Sequence, residues 1–285
     1  MSPSSPPRRL ARSLKQEYEE FILQRIEEYK ESLSREEILK LGDDAVRELE
    51  VNTADQYLLT EVLLLEHVDR IIKRRLRLPT FRRWQQRFKA LRSAQREPTH
   101  WGLEQPSPLP DLARRLQPGD LALVVGAHAD GAALFLAAHD VDVVLIDQDL
   151  TAVELAESRA VTEQLADRLH ALVVRFGGWL PDVSPTLIVF DSAALAPLSA
   201  QRRIALVREL QRRTRPTGIH YVIPPVATHA AGPGDVIPLA PDALQSYYKA
   251  WIVDRIGPRV RRGAVGGFMA TKPARHGDTA SAASE

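Results

Sequence analysis

The residues best suited to chemistry in this 285-residue chain are a hexapeptide, Gly126-Ala127-His128-Ala129-Asp130-Gly131, and a carboxylate some distance on, Asp147. The hexapeptide follows an apolar run, Leu121 to Val125, and precedes a helical stretch, Ala132 to Ala138. A strand, a tight glycine turn and a helix start in succession let a backbone come close to a ligand. The string has the glycine spacing of a phosphate-binding loop, but Ala132 and Ala133 stand where its Lys and Ser/Thr belong, so triphosphate binding is disfavoured. His128 takes the place of the middle glycine of a G-x-G-x-x-G fingerprint. Asp147 closes a second apolar run, Val143 to Ile146, and a carboxylate at that edge can accept both hydroxyl hydrogens of an adenosine ribose. The competing role is a helix cap, for which Asp149 is better placed.

The other polar candidates are thinner. His220 lies inside an apolar run and reads as a core residue, whereas His229 sits in a Pro/Gly-rich loop that could line a pocket. With no cysteine and no H-x-H, H-E-x-x-H or D-x-D-x-D-G spacing, no disulfide, thiolate chemistry or metal site is expected. Trp101, Trp179 and Trp251 are expected to be buried or to line a pocket.

The elements that position these residues follow from periodicity. Runs at Leu121 to Val125, Val141 to Ile146, Ala171 to Val174, Leu187 to Phe190 and Ile219 to Ile223 alternate with amphipathic stretches. That alternation predicts an α/β, doubly wound, mostly parallel sheet with helices on both faces. Upstream the period is helical, with Leu10, Leu14, Tyr18, Phe21, Ile22, Ile26 and Tyr29 on one face. Capping-box spacings at Ser34/Glu37 and Thr53/Gln56 mark two further helix starts. The second helix should end near Val51, a third should run from Tyr57 to Leu78, and Pro79 should break it before a fourth from Thr80 to about Arg96. Prolines at 98, 106, 108 and 110 suggest a surface connector and a boundary near residue 105. The expected organisation is an all-α domain over 1–105, a Rossmann-like domain over 106–275 and a disordered polar tail over 276–285.

Charge is split along the helical region. Glu17 to Asp69 holds 16 acidic and 5 basic residues, and Arg70 to Arg96 holds 11 basic and none acidic. These opposite excesses predict pairing between helix surfaces, within the chain or across a homodimer of the N-terminal helices. Nucleic-acid binding through 70–96 is the less favoured reading. Phe81, Trp84 and Phe88, spaced by three and four, read as one packed helix face more than as a stacking platform for a single strand. No apolar run is long enough to span a bilayer, and the start MSPSSPPRRLARSLKQ lacks the apolar core of a secretory signal, so a cytoplasmic protein is expected.

From Pro118 to Pro225 the order of features resembles the class I S-adenosylmethionine-dependent methyltransferases. The resemblance lies in Pro118-Gly119 before the first strand, the glycine turn, Asp147-Gln148-Asp149 with Ala152 and Ala156 behind, the run Leu187 to Phe190, and Arg215-Pro216-Thr217-Gly218 before the fifth strand. The segment Leu239 to Pro273, with Tyr247-Tyr248-Lys249-Ala250-Trp251 and Ala270-Thr271-Lys272-Pro273, is similar to the terminal antiparallel hairpin of small-molecule methyltransferases of the tellurite-resistance type. The resemblance implies S-adenosylmethionine as cofactor, held by Gly126, Ala127, His128, Asp147, Gln148, Asp191 and Ser192. It also implies in-line transfer of the methyl group to a small-molecule acceptor, with Asp191 and His128 as the catalytic candidates. The chain departs from the family pattern in three places. Val124 stands where an acidic residue is usual, His128 and Asp130 replace glycines, and no carboxylate stands near Gly177-Gly178. Two alternatives therefore stay open: a binding or regulatory protein that kept the fold without turnover, and an RNA methyltransferase using the basic helix.

Overall fold

The computed structural model describes residues 13–52, 61–103, 107–223, 241–256 and 267–274. Contacts divide the chain into two compact units, Met1–Arg92 and Ser93–Glu285.

The first unit is built from α1 (Leu14–Ser32), α2 (Arg35–Asn52), α3 (Glu61–Arg75) and most of α4 (Phe81–Gln95). The described part of α1 begins after Ser13, where Ser13 and Gln16 form a reciprocal capping box that the apolar spacing alone did not reveal. Leu10 lies outside the described residues, as do the Thr53/Gln56 spacing, His229 and the polar tail. Ser34 and Glu37 exchange the expected bonds at the start of α2. Arg77 takes a left-handed φ of 50° and Leu78 N–H reaches back to Lys73 O, which closes α3 just ahead of Pro79. The core joins Ile22 and Ile26 of α1, Leu41 and Ala45 of α2, and Ile71 and Ile72 of α3. Trp84 stacks on Phe88 at 4.8 Å and meets Tyr18, Phe21 and Phe81, so the α4 aromatics form an internal cluster. Part of the charge split is satisfied here: Arg74 donates to Glu48, Arg75 to Asp44, and Lys30 to Asp69.

The stretch 97–110 is more than a connector, because Pro98–Trp101 forms a 3-10 turn and α5 (Leu109–Arg115) begins within it. Trp101 is buried and its Nε1–H donates to Gln95 O, while Gln95 Nε2–H donates to Glu163 O and Oε2. The end of α4 is thereby tied into the second unit. The compact units accordingly divide at Arg92/Ser93, upstream of the expected residue 105.

The second unit is a seven-stranded sheet, made of β1 (Leu121–Val125), β2 (Asp142–Asp147), β3 (Leu169–Val173), β4 (Leu187–Asp191), β5 (Ile219–Ile223), β6 (Ile252–Ile256) and β7 (Gly267–Thr271). The order is β3-β2-β1-β4-β5-β7-β6. Strands β1 to β5 are parallel, and β7 pairs antiparallel with β5 and β6. This is the Rossmann-like, doubly wound arrangement with a terminal antiparallel hairpin. The period of two decides which side chain enters which layer. Ala122, Val124, Val143 and Leu145 pack in the cluster containing α5, α6 (Asp130–Ala138) and α7 (Leu150–Thr162). Leu123, Val125, Val144 and Ile146 pack in the cluster containing α9 (Ala200–Arg213), α10 (Pro241–Gln245) and Leu195 of α8 (Ser192–Leu195). Because both faces are covered, the central strands read as unbroken apolar runs. Trp179 corrects one expectation, being 61% exposed on the segment that leaves β3.

Candidate functional site

Strand order places a switch point at the carboxyl end of β1, since β2 lies on one side of it and β4 on the other. Three of the sequence-predicted residues meet there: Gly126, Asp147 and Asp191. Gly126 N–H bonds Ile146 O, and its φ of 103° is a conformation that side chains rarely adopt. Its missing side chain is also required by space. A Cβ there would stand 2.7 Å from Asp191 Cβ and 2.8 Å from Ala194 Cβ. Gly131 works differently, because a Cβ on it would meet Trp101 O at 2.6 Å. The first glycine of the hexapeptide lets Asp191 and Ala194 pack against the turn, and the second lets the Pro98–Trp101 turn pack against α6.

Asp147 holds the turn to β2. Its Oδ2 accepts from Ala127 N–H at 2.6 Å and its Oδ1 from Asp149 N–H at 2.8 Å. Asp149 caps α7 by accepting from Thr151 N–H, as its position predicts. Gln148 is engaged elsewhere, its Oε1 accepting from Phe176 N–H on the segment after β3. Asp130 makes an ion pair with Arg159 of α7, a partner the sequence reading missed.

Asp191 caps α8, its Oδ1 accepting from Ala193 N–H at 2.8 Å. The other oxygen, Oδ2, is buried without a hydrogen-bond partner, and so is Ser192 Oγ next to it. Burial pushes the Asp191 carboxyl above its usual range, against the opposing pull of the Ala193 amide and His128, and the Asp147 charge adds to the rise. His128 Nδ1 lies 3.4 Å from Asp191 Oδ2, on a side chain that is 82% exposed. An exposed imidazole and a buried carboxylate oxygen therefore share one edge.

Exposed apolar side chains flank Asp147 as well. Val173, its register partner at the end of β3, and Leu150, which opens α7, are both exposed. Neither is marked by any motif. His220 is the satisfied core residue that its apolar strand implied. Thr214 Oγ1–H donates to Leu210 O, so its oxygen accepts from His220 Nε2–H at 2.7 Å, and Tyr248 O–H donates to Nδ1 at 2.8 Å. Burial, with a smaller contribution from Lys272, lowers the His220 pKa to about 3 and keeps the ring neutral.

No protein-family model matches the sequence, and no curated protein matches it either. Among solved structures, the chain is similar to a SAM-dependent O-methyltransferase from Thermotoga maritima, at 14% identity and a TM-score of 0.45 over 61% of this chain and 67% of that one. It is similar to the N-methyltransferase NodS from Bradyrhizobium japonicum, at 13% identity and a TM-score of 0.45 over 58% and 92%. A SAM-dependent methyltransferase from Methanosarcina mazei gives 18% identity and a TM-score of 0.44 over 58% and 98%. Likeness at this level concerns the fold, and any functional reading rests on the atoms of the site itself.

Proposed function

We propose that the second unit binds S-adenosylmethionine at the carboxyl edge of β1, β2 and β4 and transfers its methyl group to a small-molecule acceptor. The observation that carries the proposal is the pair of buried polar atoms without a hydrogen bond, Asp191 Oδ2, which lies 3.4 Å from His128 Nδ1, and Ser192 Oγ, at a turn where Gly126 admits no side chain. Leaving such atoms unpaired costs about 1 to 3 kcal/mol each, so their presence at a switch point favours a site that a ligand completes. Asp147 fits the same reading. A carboxylate offers about four acceptor positions. The two backbone amides on Asp147 leave the others for a pair of ribose hydroxyls. Leu150 and Val173 would then flank the base.

Bound S-adenosylmethionine supplies an electrophilic methyl group on a sulfonium. The protein's contribution is positioning, and a base is needed only where the acceptor must lose a proton. Asp191 Oδ2 is the group placed to take that proton, its raised pKa making it a better base than an exposed aspartate. His128, at the mouth, is placed to pass the proton to solvent.

A second reading has its own observation. Both oxygens of Asp147 already hold the turn closed, and Asp191 and Ala194 fill the space over Gly126, as they would in a binding protein without turnover. Calorimetric titration with S-adenosylmethionine and S-adenosylhomocysteine separates the outcomes. Saturable binding of both, weakened roughly tenfold to a hundredfold by Asp147→Ala, supports the cofactor site. Heatless titrations of folded wild-type protein with both compounds would remove the methyl-transfer reading.

A further inference from the structure

Each of the first three helices carries an acidic residue in its first turn, whereas the first turn of α4 has none and holds Arg82 and Arg83 instead. Cations at a helix N-terminus oppose the helix dipole, which favours negative charge at that end. Among the described residues no ion pair offsets the cost. Arg74 and Arg75 of α3 meet acidic residues of α2, but Arg82, Arg83, Arg87 and Lys89 are exposed and have no ion-pair partner among the described residues. We infer that this face of α4 docks on the phosphate backbone of a nucleic-acid duplex, independently of the methyl-transfer reading.

The geometry of α4 selects the partner. Arg82, Gln86 and Lys89 follow one stripe at helical spacing, Arg83 and Arg87 follow an adjacent one, and all five are exposed. Arg82 to Lys89 spans about 10 Å along the axis at 1.5 Å per residue, enough to reach several phosphates of one strand. Three of the four cations are arginines, whose planar fork matches phosphate oxygens, and Gln86 adds a neutral donor of the kind that contacts phosphate and sugar. Single-strand binding would call for free aromatic rings. Trp84 is buried, and Phe81 and Phe88 are stacked with it. Insertion into a membrane surface would call for a broad apolar face beside the charges, whereas Trp84 is buried against Tyr18 and Phe21 and Phe88 is half-buried, which leaves Phe81 alone of the three rings exposed. Apart from Phe81, the outward side chains from Arg82 to Lys89 are polar and cationic, which suits a duplex backbone read by charge and shape.

The test is fluorescence anisotropy of the full chain with labelled duplex RNA, duplex DNA and single-stranded RNA of random sequence, at about 50 and 200 mM salt. Four neutralised phosphates give a log–log slope of about −3 to −4, or roughly a hundredfold loss over that range. R82Q/R83Q/R87Q, with an unchanged circular dichroism spectrum, should reduce the slope by about 3, and R74Q/R75Q should leave it unchanged. If the triple variant misfolds, K89Q and R87Q singly should each remove about one unit of slope. Four results would overturn the inference: no saturable duplex binding, binding indifferent to these variants, tighter binding to single strands than to duplexes, or binding confined to phosphatidylserine vesicles. Salt-sensitive self-association that the triple variant abolishes, without duplex binding, would assign the face to a second copy of the chain and overturn it too.

Discussion

Asp147 Oδ2 and the backbone N–H of Ala127 lie 2.6 Å apart, which joins the end of β2 to the turn that follows β1. One carboxylate thus sets the shape of the turn at the carboxyl ends of β1 and β2. Asp147→Ala should lower unfolding free energy by about 1.5 to 3 kcal/mol, the range for bonds to a charged group, through loss of both backbone partners. Asp147→Asn keeps one acceptor and should fall between the two. Urea denaturation of the three proteins, with equal m-values, measures the series.

Gly126→Ala should be the costlier of two glycine substitutions. The new methyl meets Asp191 and Ala194 at under 3 Å in a backbone of positive φ, and strain and overpacking together predict about 2 to 4 kcal/mol. Gly119 has a similar φ of 87° with open space around it, so Gly119→Ala should cost only about 1 kcal/mol. Equal shifts of the thermal midpoint would contradict the close approach at Gly126.

Asp191 has a raised pKa in the folded chain, so the folded state holds its proton at pH values where the unfolded chain has released it. Stability from this residue therefore falls as pH rises from the unfolded pKa through the folded one. Asp191→Asn keeps an acceptor for Ala193 N–H and removes the buried charge, so it should flatten that limb and raise stability above it. Unfolding curves collected from about pH 4 to 8 test the sign.

His220 works in the opposite direction. Its folded pKa of about 3 lies below the unfolded value of 6.5, so its contribution is complete above pH 6.5 and is lost as pH falls toward 3. The slope should approach about 1.4 kcal/mol per pH unit for one proton. His220→Gln should remove that acid dependence, read as the pH at which half the protein unfolds.

Trp101 decides where the second unit begins. A fragment starting at Ser93 retains Trp101 and the Gln95 contacts with Glu163, and one starting at Pro106 loses them. The shorter fragment should be less stable by about 3 to 5 kcal/mol, the usual cost of removing a buried Trp. Comparable denaturation midpoints for the two fragments would return the boundary to residue 105.

Much of this was written locally. The runs Leu121 to Val125 and Leu187 to Phe190 became central strands because unbroken apolar stretches must be covered on both faces, and helices on both sides follow from that. Ser34 and Glu37 marked a helix start because a cap is a contact between near neighbours. Gly126 and Asp147 were legible for the same reason: each sits at the end of its own strand, and strand ends can be read from one segment. Tertiary structure alone decided what those residues touch. Nothing local says that Gly131 makes room for Trp101, that Arg159 answers Asp130, or that Asp191 and Ala194 crowd Gly126, since each contact joins segments brought together only by the order of the strands. The charge split divides in the same way. Its existence is a count along the chain, but which arginines meet a carboxylate and which face solvent depends on how α2, α3 and α4 rotate about their axes, and the burial of their apolar faces fixes that rotation.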